Sequence, residues 1–310
     1  MSKTIVSADA DVELTITSPK QQERITEYSH GKRFAFQAIR SLGFTPMACI
    51  SEFIDNSIDA GANNIHLTWE RNDKDSPYSL IIEDDGKAVP KNKMFDCFTK
   101  LGNDEDYDSS RVGHFGVGVK AAFINLMKEG KASVVSRDGK DVSTLNILHE
   151  DDQVEGILSH KPCKTKDTGI ILNVNNIDTQ LSEQQIIKTC SVMYYPNYIR
   201  NKEAGIKFTL TINGKEVKFI DPMYRGKAYD KVEGLDANKE TFTFLDEPIS
   251  VETLSFMPKF DWDNCSKWDH DKGKPSLKPS NSGIYLRLGG RYISLGQSMF
   301  PGVTYQTVLQ

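Results

Sequence analysis

The chain has no hydrophobic run approaching the roughly 18 apolar residues that a membrane-spanning helix needs. Its first residues, MSKTIVSADADVELT, lack the basic-then-apolar order of a secretory signal. Cysteine is scarce: Cys49, Cys97, Cys163, Cys190 and Cys265 are odd in number, far apart and free of any CxxC pair. They read as reduced thiols, which argues against a disulfide frame or a zinc site. The six histidines are equally scattered. There is no excess of basic residues either, with 38 Lys and Arg against 43 Asp and Glu and a net charge of −5. That excludes a polybasic coat for nucleic acid, although a local basic face escapes a net count. What remains is an ordinary folded composition, 38% hydrophobic and 26% charged over 310 residues. This length suits about two domains, and the composition suits a cytoplasmic protein that does not enter membranes.

The pattern along the chain is α+β, without repeats. A strand is expected around 12–16, a helix over about 32–42, and a better-defined helix from Thr45-Pro46 to Gly61. In that second helix a hydroxyl cap precedes a first-turn proline and a glycine follows the last turn. Alternating segments at 65–69 and 78–83 predict an antiparallel hairpin. Residues 84–117 show little apolar periodicity and hold an acidic run at 103–108. A helix over 118–127 and strands at 132–136, 144–148 and 170–174 follow. Helical spacing runs from Ser182 to Tyr195, where Pro196 is expected to end it. Asn213-Gly214 marks a hairpin between 207–212 and 216–220. A polar loop at 261–281 precedes strands at 284–288 and 291–295, and a domain boundary falls near residue 180.

Three elements carry chemistry. On the helix over 45–61, Glu52, Asp55, Asn56 and Asp59 share an arc of roughly 100°, opposite Met47, Ile50, Ile54 and Ile58. Carboxylates gathered on one arc repel unless a cation or a donor-rich ligand joins them, and asparagine is a good oxygen ligand for magnesium. The second element is the turn Asp84-Asp85-Gly86-Lys87-Ala88 after a strand. The third is the glycine run Gly113-His114-Phe115-Gly116-Val117-Gly118-Val119-Lys120, which opens a helix. Such a run lets backbone N–H groups approach a phosphate at a helix N-terminus. It is not a P-loop, because Lys120 does not follow Gly118 directly and Ala121 stands where a hydroxyl residue is required. Gly116, Gly118 and Ala121 fit the dinucleotide pattern formally, but the polar, acidic residues before them are no buried strand.

Jointly and in this order, Glu52-x-x-Asp55-Asn56-Ser57-x-Asp59-Ala60, Asp84-x-Gly86 and Gly113-x-Phe115-Gly116-x-Gly118-x-Lys120 resemble the GHKL ATPase superfamily. That superfamily holds gyrase B, the ninety-kilodalton heat-shock chaperones, histidine kinases, MutL and the MORC ATPases. The lysine ending the glycine motif and the segment Ile186–Tyr195 are most like the MORC branch. The resemblance implies a Bergerat-type α/β sandwich over 31–180 that holds ATP under a lid at 91–112. An S5-type transducer domain over 181–310 follows, expected to be incomplete at its C-terminus. Residues 1–30 would be an extension that can act as a dimer arm.

The resemblance also implies roles. Glu52 is the general base for the attacking water, and Asn56 the magnesium ligand. Asp59 supports the site, whereas Asp55 is a solvated neighbour or a water-mediated contact. Asp84 accepts a hydrogen bond from the adenine amino group. Gly86 gives the base room, and Ala88 stands where a second glycine is common. Gly113, His114, Phe115, Gly116, Val117 and Gly118 line the phosphates. Lys120 stabilises their charge, and Thr168 in Asp167-Thr168-Gly169 contacts the site through water. The transducer lysine of relatives would lie beyond Gln310 or be replaced from the loop 267–278.

The implied activity is Mg-dependent hydrolysis of ATP that drives homodimerisation, with DNA or protein as client. Competing readings are a nucleotide-binding switch or chaperone-like module with little hydrolysis, and a protein kinase. The kinase reading lacks a phospho-accepting helical hairpin, since only His30 precedes the motifs.

Overall fold

A computed structural model describes residues 22–27, 40, 43–71, 73–74, 76–98, 118–127, 130–150, 153–162, 167–221, 235–244, 247–256, 284–288 and 290–297. The strand expected at 12–16, nearly all of the helix expected at 32–42, and Gly113 to Val117 lie outside the described residues. The chain divides into one unit of residues 1–183 with 208–216, and a second of residues 184–207 with 217–310. The hairpin at 208–216, expected in the second domain, therefore belongs to the first unit.

The first unit is built on nine strands: β1 (Gln22–Glu27), β2 (Asn64–Glu70), β3 (Tyr78–Asp84), β4 (Gly130–Asp138), β5 (Asp141–Glu150), β6 (Gln153–Pro162), β7 (Thr168–Ile177), β8 (Thr209–Ile212) and β9 (Lys215–Glu216). They form one mixed sheet in the order β1-β6-β5-β4-β7-β3-β2-β8-β9. Only β2 and β8 pair in parallel. β1 pairs antiparallel with β6 of its own chain, so residues 22–27, expected in a dimer arm, are an edge strand of this sheet. Burial alternates along the strands. Ile65, Leu67 and Trp69 of β2, Leu80 and Ile82 of β3, Val134 of β4, Leu145 of β5, and Leu172 and Val174 of β7 are buried. The residues between them are half-buried or exposed. One face of the sheet thus makes the core, as a period of two requires.

Among the described residues, three helices of this unit contact the sheet: α1 (Pro46–Asp59) on β3, α2 (Lys91–Phe98) on β5 and β6, and α3 (Gly118–Leu126) on β7. α1 forms where its cap chemistry dictates. Thr45 Oγ1 accepts from Ala48 N at 3.2 Å and Pro46 occupies the first turn. At the other end Gly61 N reaches Ile58 O and Ala62 N reaches Ser57 O, a Schellman closure with Gly61 at φ +78°. α2 was not anticipated. Only Met94 and Phe95 of it are buried, too few for a periodic signal, and Phe95 fits because β6 carries Gly156 beneath it. A Cβ there would lie 2.7 Å from Phe95 Cε2. The first eight residues of the segment expected as a lid are therefore a helix docked on the sheet.

In the second unit, α4 (Glu183–Met193) leads into α5 (Tyr195–Glu203). α4 ends at Met193, two residues short of the expected Tyr195, and Pro196 lies in the first turn of α5, which was not expected. In the first turn its missing N–H has no intrahelical acceptor to satisfy, so the proline is compatible there. Tyr198 of α5 stacks on Phe219 with ring centroids 4.9 Å apart. Two antiparallel ladders complete the description: β10 (Leu235–Phe244) with β11 (Glu247–Phe256), which the sequence pattern did not reveal, and β12 (Ile284–Leu288) with β13 (Arg291–Gln297). Among the described residues no helix is long and apolar enough to cross a membrane.

Candidate functional site: an acidic helix face beside a buried aspartate

Glu52 lies midway along α1, half-buried, with Asn56 one turn on and exposed. The Asn56 Nδ2 donates to the Glu52 carbonyl at 2.5 Å. This fixes the amide and leaves Asn56 Oδ1 without a protein hydrogen bond among the described residues. Helix α3 packs against α1 and begins at Gly118. The Glu52 carboxylate occupies the place where a Cβ on Gly118 would stand. Glu52 thus sits at the N-terminus of α3, where free N–H groups and the helix dipole favour negative charge. Lys120, in the first turn of α3, is buried at 2% exposure and is no surface lysine. Asp59 is exposed at the end of α1. Asp55, expected as a solvated neighbour or a water-mediated contact, is buried at 2% exposure, which rules out the solvated reading. The apolar stripe is rotated accordingly: Phe53 is in the core, while Met47 and Ile58 are half-buried. Phe53 packs on Phe123 of α3, centroids 5.1 Å apart, which brings the core side of α1 against that helix.

The second half of the site surrounds Asp84, the last residue of β3, buried at 5% exposure. Its Oδ2 accepts from Ser57 Oγ at 2.7 Å. Its Oδ1 accepts from Gly86 N at 2.9 Å and Ile170 N at 3.3 Å. Burial pushes the Asp84 carboxyl above its ordinary range, against the lowering effect of the bonds from Ser57, Gly86 and Ile170. Each carboxylate oxygen can accept two hydrogen bonds, so Oδ2 keeps one acceptor direction.

Two glycines make this packing possible. A Cβ on Gly86 would lie 3.0 Å from Ala60 Cβ and 3.2 Å from Asp84 Oδ1. Gly169, at φ +128°, passes so close to the Asp84 carbonyl oxygen that any Cβ would collide with it. Thr168, the first residue of β7, is exposed beside this crossing, and Ala88 is half-buried in the loop after Gly86. Asp85 points the other way. It accepts from Asn63 N at 2.7 Å, Asn64 N at 2.9 Å and Asn64 Nδ2 at 2.6 Å, closing the turn after α1. Burial works to raise its carboxyl, but these bonds together outweigh burial and hold it below the usual carboxylate range.

The residues present fit a nucleotide and its metal. A buried carboxylate with one acceptor direction left, in a cradle that only glycine allows, suits an exocyclic amino group. No three His, Cys, Asp or Glu side chains gather to cage a metal among the described residues. A lone amide oxygen at Asn56 fits magnesium, which keeps water and takes phosphate oxygens as its remaining ligands. Ser57 and Gly169 were missed as site residues. Ser57 lies within the motif, and Gly169 follows Thr168, but their contacts with Asp84 are long-range and leave no local signature.

This architecture, a mixed sheet with helices on one face and a buried aspartate at a strand end, is that of a GHKL-type nucleotide-binding domain. Residues 44–183 match the family described as "Histidine kinase-, DNA gyrase B-, and HSP90-like ATPase", which supports the GHKL superfamily for this part of the chain. The chain is 24% identical over 187 residues to the DNA mismatch repair protein MutL of Halothermothrix orenii, covering 56% of this chain and 27% of that one. Among solved structures it matches the ATPase region of Saccharomyces cerevisiae topoisomerase II bound to dexrazoxane. That match has a TM-score of 0.42 and 12% identity, over 62% of this chain and 55% of that one. The chain thus spans about a quarter of the length of the MutL relative and about half of the topoisomerase region.

Proposed function

We propose that the chain is a magnesium-dependent ATPase that releases ADP and phosphate and works as a MORC-like, ATP-gated homodimeric clamp or switch with DNA as its client. The hydrolytic part is carried by one observation: the Glu52 carboxylate is held against Gly118 at the N-terminus of α3. There it can orient and deprotonate a water attacking a phosphate bound at that helix end. Asp84 accepts from the adenine amino group, with Gly86 leaving room for the ring, and Thr168 lies at the strand start beside it. Asn56 Oδ1 ligates magnesium, whose charge, when bound, offsets that of the phosphates. Asp59 supports this face, Lys120 stabilises phosphate charge, and residues 113–118 line the phosphates with their backbone. The second unit is the transducer. DNA is named as client because the MutL relative is, by name, a DNA mismatch repair protein.

Phosphate release by the full-length protein and by Glu52→Ala tests this reading. The wild type should turn ATP over in the presence of magnesium, and Glu52→Ala should bind ATP without releasing phosphate. A wild type that binds ATP and releases none overturns the hydrolase in favour of a nucleotide switch. Elution with a non-hydrolysable ATP analogue tests the dimer, and an unchanged monomer counts against the clamp. DNA affinity measured against salt concentration tests the client.

A further inference from the structure

Beyond Asp84 and Gly86, the loop 86–90 is fastened at a point no motif marks. Ser136, on β4, is buried at 3% exposure on the core-facing side of the sheet. Its Oγ accepts from Val89 N at 2.9 Å and donates to Val89 O at 2.8 Å. One hydroxyl therefore satisfies both main-chain groups of a loop residue, as a neighbouring strand would. No other residue type of that size supplies a donor and an acceptor from one atom at that distance. The same loop is tied at its start, where Gly86 N reaches Asp84 Oδ1 at 2.9 Å and Lys87 N reaches Ala60 O at 2.9 Å. The segment bearing Gly86 and Ala88 is thus held at both ends by hydrogen bonds from the fold itself. Ala88, half-buried between the two ties, has its position set by them.

We propose that Ser136 is a positioning residue for adenine recognition, fixing the loop 86–90 before nucleotide arrives; this rests on the reading of Asp84 as the adenine acceptor. The free-energy logic is preorganisation. A loop already in its bound form loses little further freedom on binding, and a loosened loop must be ordered at the expense of affinity. Removing the hydroxyl leaves two part-buried main-chain groups unpaired, which the loop relieves by moving off the sheet. The effect belongs to the base and not to the phosphates, because Glu52, Asn56 and Gly118 lie on α1 and α3, whereas Ser136 lies on β4 and holds the loop after Asp84.

The test uses the full chain as wild type, Ser136→Ala and Ser136→Thr. Affinities for ADP and for inorganic tripolyphosphate are measured with magnesium, and hydrogen exchange at the Val89 amide is measured without ligand. Ser136→Ala should lose about tenfold in ADP affinity, keep its tripolyphosphate affinity and exchange Val89 faster. Ser136→Thr, which retains the hydroxyl, should recover most of both. A Ser136→Ala protein that binds ADP as the wild type does, or that loses both ligands equally, overturns the proposal. If the wild type binds no ADP, the adenine reading itself has failed, and unchanged Val89 exchange in Ser136→Ala would then refute the clamp independently.

Discussion

The Glu52 carboxylate fills the space beside the Gly118 Cα that any other residue's Cβ would need. Gly118 is therefore required for the geometry of the proposed base, apart from its backbone freedom. Gly118→Ala should lower ATP turnover at least about a hundredfold, because a displaced general base loses reach to its water. Overpacking should also cost stability, but only about 1 kcal/mol, because the Glu52 carboxylate ends a flexible side chain that can shift aside. In a Glu52→Ala background the stability cost of Gly118→Ala should largely vanish, since the clashing oxygen is gone. Denaturant unfolding of the four proteins in this double-mutant cycle checks the coupling; purely additive effects would contradict the contact.

Asp84 gives a prediction with a defined sign. Its carboxyl titrates above the ordinary 3.8, chiefly through burial. The folded state thus holds this proton more tightly than the unfolded state. The group's contribution to stability is fully present below the unfolded value and is lost as pH rises through the raised native one. Asp84→Asn removes that loss. Its Oδ1 can still accept from Gly86 N and Ile170 N. Ser57 can turn to accept from the new amide while donating to Phe53 O, which already lies 3.3 Å from its Oγ. Without nucleotide, Asp84→Asn should be at least as stable as the wild type at neutral pH, with a flatter stability profile as pH rises above the ordinary carboxylate range. Its ATP affinity should nevertheless fall at least about tenfold, because an NH2 group would then face the adenine amino group. Thermal unfolding across pH and calorimetric titration with ATP check both halves.

The helix bearing Glu52 and Asn56 was legible to the residue, because Thr45, Pro46 and Gly61 signal its ends by local chemistry alone. The order of the site motifs was legible for the same reason. Elements stabilised from a distance were not. β6 reads as Gln153-Val-Glu-Gly-Ile-Leu-Ser-His-Lys-Pro162, with a glycine where Phe95 docks, so its pattern makes sense only once α2 is in place. Pro196 marks the break after α4, but proline is also compatible with the first turn of a helix, and nothing local says that a second helix begins there at once. Ser57, Ser136 and Gly169 went unread as site residues for a related reason: each acts on a residue at least 27 positions away.

Gly169 combines two demands that no side chain meets. At φ +128° an L-residue is strained, and a Cβ would collide with the Asp84 carbonyl oxygen, a main-chain atom that cannot swing aside. Gly169→Ala should cost about 3 kcal/mol or more and separate β7 from the end of β3. Chemical denaturation measures this; a loss under about 1 kcal/mol would mean that the two strands part easily at this point.

Thiol reactivity should rank by burial. Cys49 is 1% exposed, and burial, with the Glu52 charge second, pushes its thiol up to about 12. Cys190 is also buried, whereas Cys97 on α2 is only partly so. Among these three, maleimide at about pH 8 should label Cys97 first in the native protein, because the thiolate is the reacting species. Cys49 should react only after unfolding. Mass mapping of labelled peptides against time checks the order, and early labelling of Cys49 would show that α1 opens locally.

Asn213 extends the sheet where the chain can no longer do so. The parallel pairing of β8 with β2 ends at Leu67 and Ile212. Past that point Trp69 still has a main-chain donor and acceptor to satisfy. Asn213 Oδ1 accepts from Trp69 N at 2.7 Å, and Nδ2 donates to Trp69 O at 2.9 Å, so a side-chain amide stands in for a strand residue. The same Nδ2 donates to Glu183 Oε2 at 2.8 Å, and Lys215 pairs with Glu183 Oε1 at 2.7 Å. Asparagine suits this place for a second reason: its backbone is left-handed at φ +47°, which it tolerates better than most residues do. Asn213→Ala forfeits the amide and strains the turn, and should cost about 2–3 kcal/mol. Asn213→Gly forfeits the same hydrogen bonds but relaxes the backbone, so it should be milder by about 0.5–1 kcal/mol. Asn213→Asp keeps the acceptor for Trp69 N but sets a second carboxylate against Glu183, and it should recover stability as pH falls through the carboxylate range. Urea unfolding of the three variants at neutral and acid pH separates hydrogen bonding, backbone strain and charge; equal losses in all three would refute this division.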